Sequence, residues 1–392
     1  MTLQSHWLLN PTIDFLNHGS FGATPAVVLE EQTRLREQLE RDPIAFLAPE
    51  RQLEPKLDET RRVLSNLVGA EPRDLVFVRN ATDGVNAVLR SFPLRSGDEV
   101  VITNHGYNAC NNAVRFATER VGAVTRIAQV PFPIQDPQEV VAAIGNTLSD
   151  RTRLLVVDHV TSSTGLVFPV ERLVELAHGR GVRVMIDGAH GPGMVPINLR
   201  ELDADYYTAN HHKWLCAPKA SGFLYVRPDF QREVHPTIIS HAYNRPRPGR
   251  SQFVAEFDWM GTHDPTPILA LPAAIKFLDT LREGGLTRHM QLNRRLALES
   301  QAVLSDSLAI TPPCPSEMIG SLVTVPLNHL NRALGEALGR KLYEEHRIEV
   351  PIFAGVTNAQ DADESPYLRV SLQAYNHLGQ IERLARLLKR VG

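Results

Sequence analysis

The chain has 392 residues, 43% of them hydrophobic, and a net charge of −3. That is enough apolar content for a large buried core, and the near-neutral balance gives no reason to expect nucleic acid or an anionic membrane as partner. Three cysteines (Cys110, Cys216 and Cys314), odd in number and far apart, argue against a disulfide framework, and no CxxC pair suggests a metal.

The N-terminus lacks a basic start followed by a long apolar core, and no apolar run approaches a membrane span, so a cytoplasmic protein is expected. Residues Met1 to Leu16 read as an arm. Asn17 to Pro25 contains two glycines and a proline and reads as a turn. Helical spacing follows over Ala26 to Leu39 and over Arg51 to Val68, the second stopped by Gly69.

Strands and helices then alternate. Leu75 to Val78 is a strand running into Asn80-Ala81-Thr82-Asp83-Gly84, with helix from Val85 to Arg90. A strand, a turn of small residues and a helix start make a phosphate cradle, or an ordinary N-cap with Thr82 or Asp83 as the capping residue. The strand Glu99 to Thr103 delivers Tyr107 beyond its carboxyl end, where ligands sit in open α/β sheets. Further strands are expected at Val124 to Val130, Leu154 to His159, Val182 to Ile186, Asp205 to Ala209 and Gly222 to Val226, with helices at about Ala109 to Val121, Asp136 to Leu148 and Val170 to His178. This is a doubly wound α/β sheet. Arg227 to Pro267 reads as loops. Helices over Pro272 to Leu281 and Leu286 to Ser305 then lead to strand, helix, strand, strand and helix at Ile319 to Val325, Leu334 to His346, Ile348 to Ile352, Tyr367 to Leu372 and Leu378 to Leu388. The expected organisation is an N-terminal arm (1–24), a large domain (25–268) and a small α+β C-terminal domain (269–392).

Two residues anchor a functional reading. Asp187 closes the apolar run Val182 to Ile186, and Lys213 follows 26 positions later (213 − 187) within His211-His212-Lys213-Trp214. A carboxylate at the end of a buried strand and a lysine in a polar loop suit pyridoxal phosphate. The acid would hold the pyridine nitrogen protonated, and the amine would carry the cofactor and move protons at a substrate α-carbon. Taken alone, Asp187 also suits a turn and Lys213 a solvated surface charge.

The ordered series Asn17-His18-Gly19-Ser20-Phe21-Gly22, Asn80-Ala81-Thr82, Tyr107, Ser162-Ser163-Thr164-Gly165, Asp187-Gly188-Ala189-His190, His212-Lys213-Trp214, Gly261-Thr262 and Leu368-Arg369-Val370-Ser371 resembles the class V aminotransferase-type, fold-type I pyridoxal phosphate enzymes. Among them it is most similar to isopenicillin N epimerase-like proteins, over about Ile13 to Leu388. The resemblance implies a large doubly wound domain with a mostly parallel seven-stranded sheet, an arm packing against the small domain and active site, and a homodimer with sites at the interface. It makes Lys213 the Schiff-base lysine, Asp187 the partner of the pyridinium nitrogen and His190 a neighbour of both ring and acid. Tyr107 would stack on the ring and Ser162 approach its hydroxyl. Ala81, Thr82 and His212 would hold the phosphate, with Thr262 reaching the partner subunit's phosphate. Arg369 would clamp the α-carboxylate of an amino-acid substrate, helped by Asn17, Ser20 and Phe21.

Epimerisation, transamination and β-elimination of a cysteine-derived substrate all begin with loss of the α-proton. The resemblance puts epimerisation first, with His18, His190, a tyrosine or water as the second acid-base group. The loop Phe353 to Pro366 contains no cysteine, which argues against a persulfide-forming desulfurase. A catalytically silent binding protein on the same fold is the alternative of a different class, and retention of Lys213 and Asp187 argues against it.

Overall fold

The computed structural model describes residues 3–354 and 365–390. Two helices, Ala26–Arg41 (α1) and Glu54–Val68 (α2), precede the first sheet. The alternating segment then gives Leu75–Val78 (β1), Ala81–Ser91 (α3), Glu99–Thr103 (β2), Asn108–Val121 (α4), Val124–Ala128 (β3), Gln138–Thr147 (α5), Thr152–Asp158 (β4), Val170–His178 (α6), Arg183–Asp187 (β5), Tyr206–Asn210 (β6) and Gly222–Val226 (β7). Together the strands make a seven-stranded sheet in the order β1-β7-β6-β5-β4-β2-β3. Only β7 runs against its neighbours.

The strands are apolar throughout because both faces are covered. Successive side chains point to opposite faces, so Leu155, Val157, Val184 and Ile186 enter one core while Leu154, Val156 and Met185 enter the other. The parallel strands deliver their last residues to one edge. There β4 and β5 are in register, and Asp158 lies beside Asp187.

Beyond the sheet come Gln252–Asp258 (α7), Leu271–Thr280 (α8), Gly285–Leu308 (α9), Leu322–Pro326 (β8), Arg332–Glu344 (α10), Ile352–Ala354 (β9), Pro366–Ser371 (β10) and Leu378–Leu388 (α11). An antiparallel three-stranded sheet in the order β9-β10-β8 forms here. Along β10, Leu368 and Val370 join the core, while Arg369 and Ser371 alternate to the other face.

Several local expectations are corrected. Arg227 to Pro267 is not all loop, because Ser251 caps α7 by accepting the Val254 N–H and Phe253, Val254 and Phe257 bury one face. Helix α3 starts at Ala81, not Val85, and its cap is Asn80, whose Oδ1 accepts the Asp83 N–H, not Thr82 or Asp83. Helix α2 begins after a π-turn over Pro49–Leu53. The turn at Asn17 contains one helical turn, His18–Phe21. Ile348 to Ile352 divides at Pro351, which has no N–H for a ladder. The first part, Ile348–Glu349, pairs in parallel with Asp14–Phe15 of the arm. The expected loop Phe353 to Pro366 lies largely outside the described residues.

That arm pairing, with the Ser371 N–H donating to Leu16 O at 2.8 Å, sets Asn17–Phe21 beside β10. The chain turns at Gly22 with φ 69°, and a Cβ there would lie 1.9 Å from His212 O, so only glycine passes this close to the lysine loop. No helix among the described residues is long and apolar enough to cross a membrane.

Candidate active site

The site forms where the carboxyl ends of β4 and β5, the loop after β6, the start of α4 and the middle of β10 meet. Asp187 is 3% exposed. Its Oδ1 accepts the Ala189 N–H at 3.0 Å, an Asx-turn that fixes the carboxyl, and its Oδ2 accepts the Cys110 S–H at 3.0 Å. The turn is tight because a Cβ on Gly188 would run into the Tyr207 ring. Burial pushes the Asp187 acid up, opposed by those hydrogen bonds and by the charge of Lys213. Burial and the facing Asp187 push the neighbouring Asp158 well up, although it accepts the Tyr107 N–H. The same two causes hold the Cys110 thiol well above its usual range and therefore protonated.

Lys213 is buried in this cluster. Burial brings its amine down to about 8, against the opposing pull of Asp187 and with the help of the Arg369 charge. Its Nζ lies 3.0 Å from His190 Nε2, and the Trp214 indole donates to His190 Nδ1 at 3.1 Å. Burial and then the charge of Lys213 keep the imidazole neutral.

Arg369 is 1% exposed and makes no ion pair with a carboxylate among the described residues. One terminal nitrogen donates to Ser162 O and lies 3.5 Å from Ser162 Oγ, while the other donates to Ser20 Oγ at 3.2 Å. Its Nε has no partner among the described residues. Ser20 in turn donates to Asn17 Oδ1 at 2.6 Å, and Asn17 donates to Glu349 Oε1 at 2.9 Å. A buried cation without a counter-ion is costly and calls for an anion from outside the chain.

The helix α3 start is also open. The Ala81 N–H is taken by Asn210 Oδ1 at 2.9 Å, whereas the Thr82 N–H, at the second helical position, has no partner among the described residues. An anion is favoured at such a terminus.

The structure therefore brings Asp187, His190, Lys213, Ser162, Asn17, Ser20 and Arg369 together. Tyr107 caps α4 beside this group with its ring 45% exposed. His212 is half-buried and held by Ser221 O at 3.3 Å. Phe21 is 75% exposed. Thr262 is exposed on a cavity of 740 Å³ shared with Thr24, Arg79, Lys219 and Asp258, a cavity that Lys213, Asp187 and Arg369 do not line. Both ring nitrogens of His18 have partners. It bonds Tyr375 Oη at 2.7 Å and Lys213 O at 3.0 Å, and burial lowers it to about 3.

Three participants escaped the sequence reading. Asp158 carried a signal, since two neighbouring strands each end in Asp. Cys110 carried none, and Trp214 appeared only as part of His212-Lys213-Trp214, because the partners of both are set by packing.

One reversed strand in a parallel seven-stranded sheet, a small antiparallel sheet behind it and a buried amine among strand-end carboxyls are the marks of a fold-type I pyridoxal phosphate enzyme. The chain belongs to the aminotransferase class-V family, whose model matches residues 24–384. It is 35% identical to an isopenicillin N epimerase of Amycolatopsis lactamdurans, over 98% of this chain and 96% of the relative. It is 31% identical to a probable chloroplastic L-cysteine desulfhydrase of Arabidopsis thaliana, over 96% of this chain and 82% of that one. The solved structure of the cystine C–S lyase C-DES with cysteine persulfide matches at a TM-score of 0.80 and 23% identity, covering 97% and 98% of the two chains. The chain is an enzyme, and pyridoxal 5′-phosphate is its cofactor. The residues fit that group, with a buried amine, a buried acid, a helix start with a free N–H and a half-exposed aromatic ring side by side.

Proposed function

We propose that this enzyme is an epimerase acting at the α-carbon of an amino acid. The observation that carries an amino-acid substrate is Arg369, a buried guanidinium without a carboxylate partner among the described residues, in the same cluster as the buried amine of Lys213. Similarity to isopenicillin N epimerase along almost the whole chain favours epimerisation. The L-cysteine desulfhydrase relative supports C–S elimination as the second reading. A persulfide relay is disfavoured, since Cys110, Cys216 and Cys314 are all buried and no cysteine lies between Phe353 and Pro366.

When bound, pyridoxal phosphate withdraws electrons from the substrate α-carbon. In this reading Lys213 holds the cofactor, then takes the α-proton as a free amine, and His190 stands beside it. Asp187, pinned by its Asx-turn, would supply the negative charge that retains the proton on the pyridine nitrogen. Tyr107 would stack on the ring and Ser162 would approach its hydroxyl. Thr82 and His212 would bind the phosphate at the α3 terminus, with Ala81 lining it while its own N–H is held by Asn210. Arg369, set by Ser20 and Asn17, binds the α-carboxylate through two parallel N–H groups. Thr262 completes a phosphate site only if a second copy supplies it, so the reading includes a homodimer.

Replacing Arg369 with Ala is expected to weaken amino-acid binding by about 2–4 kcal/mol, as when one partner of a buried charged pair is lost. Titrating the cofactor's absorbance with amino acid measures this, and a plain amine without a carboxylate serves as control. Unaltered amino-acid affinity removes Arg369 as the clamp. The reaction itself is tested with a panel of L- and D-amino acids in deuterated water. Solvent deuterium at the α-carbon with loss of configuration is expected. A keto acid without racemisation, or release of a β-substituent, replaces epimerisation by transamination or elimination.

A further inference from the structure

The hydrogen-bond direction between Trp214 and His190 is fixed by chemistry. An indole N–H only donates, so His190 Nδ1 must accept it at 3.1 Å. A neutral imidazole then carries its one proton on Nε2, the nitrogen that lies 3.0 Å from Lys213 Nζ. An N–H facing an amine makes a hydrogen bond only when that amine offers a lone pair.

We infer that Trp214 is a positioning residue that locks His190 with its N–H toward Lys213 and so favours the neutral, nucleophilic amine. The inference rests on the reading of Lys213 as the lysine that holds the cofactor, and it adds what prepares that lysine to attack. Trp214 is fully buried and packs on His18 with ring centroids 5.1 Å apart, so the indole is held in place. Other groups act on the amine from each element around it. Asp187 on β5 and Asp158 on β4 favour its charged form, Arg369 on β10 opposes it, and the protonated Cys110 thiol on α4 donates to Asp187. His18 and His212 face the imidazole itself. The burial that lowers Lys213 to about 8 acts in the same direction as the lock.

Trp214→Phe keeps an aromatic ring and removes the N–H. His190 is then free to move its proton to Nδ1 and to accept from a charged lysine. The expected result is a rise of about one to two pH units in the Lys213 titration, the size of a hydrogen bond to a charged group. The chain has six lysines, so their ¹³Cε signals can be followed by NMR in the full chain freed of cofactor, with Lys213→Ala for assignment. An unchanged or lower value in Trp214→Phe overturns the inference. A second measurement needs no variant. Long-range ¹H–¹⁵N spectra of the wild-type chain are expected to show His190 protonated at Nε2 and bare at Nδ1, and the reverse pattern overturns it. Failure here leaves the borohydride adduct on Lys213. Failure of the cofactor assignment moves the adduct elsewhere while the His190 pattern persists.

Discussion

Lys213→Ala is expected to lose the borohydride-reducible cofactor linkage completely. It is also expected to lower turnover by at least about a thousandfold, within the range for removing a general base. Two features make the effect large. The amine is buried, so its lower basicity and its direction come from the fold more than from solvent. Lys219 is the nearest other lysine in sequence, but its Nζ is turned to Thr24 Oγ1 at 3.4 Å, on the cavity that the cluster does not share. It is therefore not placed to substitute. Fluorescence of the reduced, denatured protein reads the linkage, and an adduct of wild-type yield in the variant moves the cofactor lysine elsewhere.

Asp187→Ala is expected to retain some cofactor while slowing α-proton exchange by about 10²- to 10³-fold, the usual loss when one preorganised electrostatic group is removed from a buried site. The carboxyl is prepared for this role by geometry. One oxygen is spent on the Ala189 turn, leaving Oδ2 with the Cys110 thiol as its one donor among the described residues. A thiol is a weak donor, easily outcompeted by a charged N–H. Burial pushes the Asp187 acid up, against its hydrogen bonds and the charge of Lys213, so a further cation beside it favours the ionised form. Exchange in deuterated water at wild-type rate in this variant would remove Asp187 from the site.

The sheet was legible because its strands are apolar runs buried on both faces, and the residues just beyond them fall at one edge whatever the loops do. Asp187 and Tyr107 could be placed for that reason, and Asp158 could have been. Lys213 was legible only through its order relative to Asp187. The start of α3 was not, because Asn80, Thr82 and Asp83 are all competent caps. Asn80 serves because Asn210, at the end of β6, takes the next N–H, a contact between residues 129 apart in sequence. The helix Gln252–Asp258 was hidden among prolines, glycines and arginines, and only its contact with the second core reveals why those apolar residues cluster. Phe21 sits at the end of the single helical turn His18–Phe21 and is largely exposed, which sequence alone does not reveal. The Trp214–His190–Lys213 chain is a product of packing, in which adjacent residues 213 and 214 reach the two nitrogens of one imidazole.

The measurement that bears most directly on the site is peptide mapping of the wild-type enzyme after reconstitution with pyridoxal phosphate and reduction with borohydride. A single pyridoxyl group on Lys213 is the result expected. A group on Lys219 or another lysine, or a protein that takes up no reducible cofactor, contradicts the assignment of this cluster as the active site.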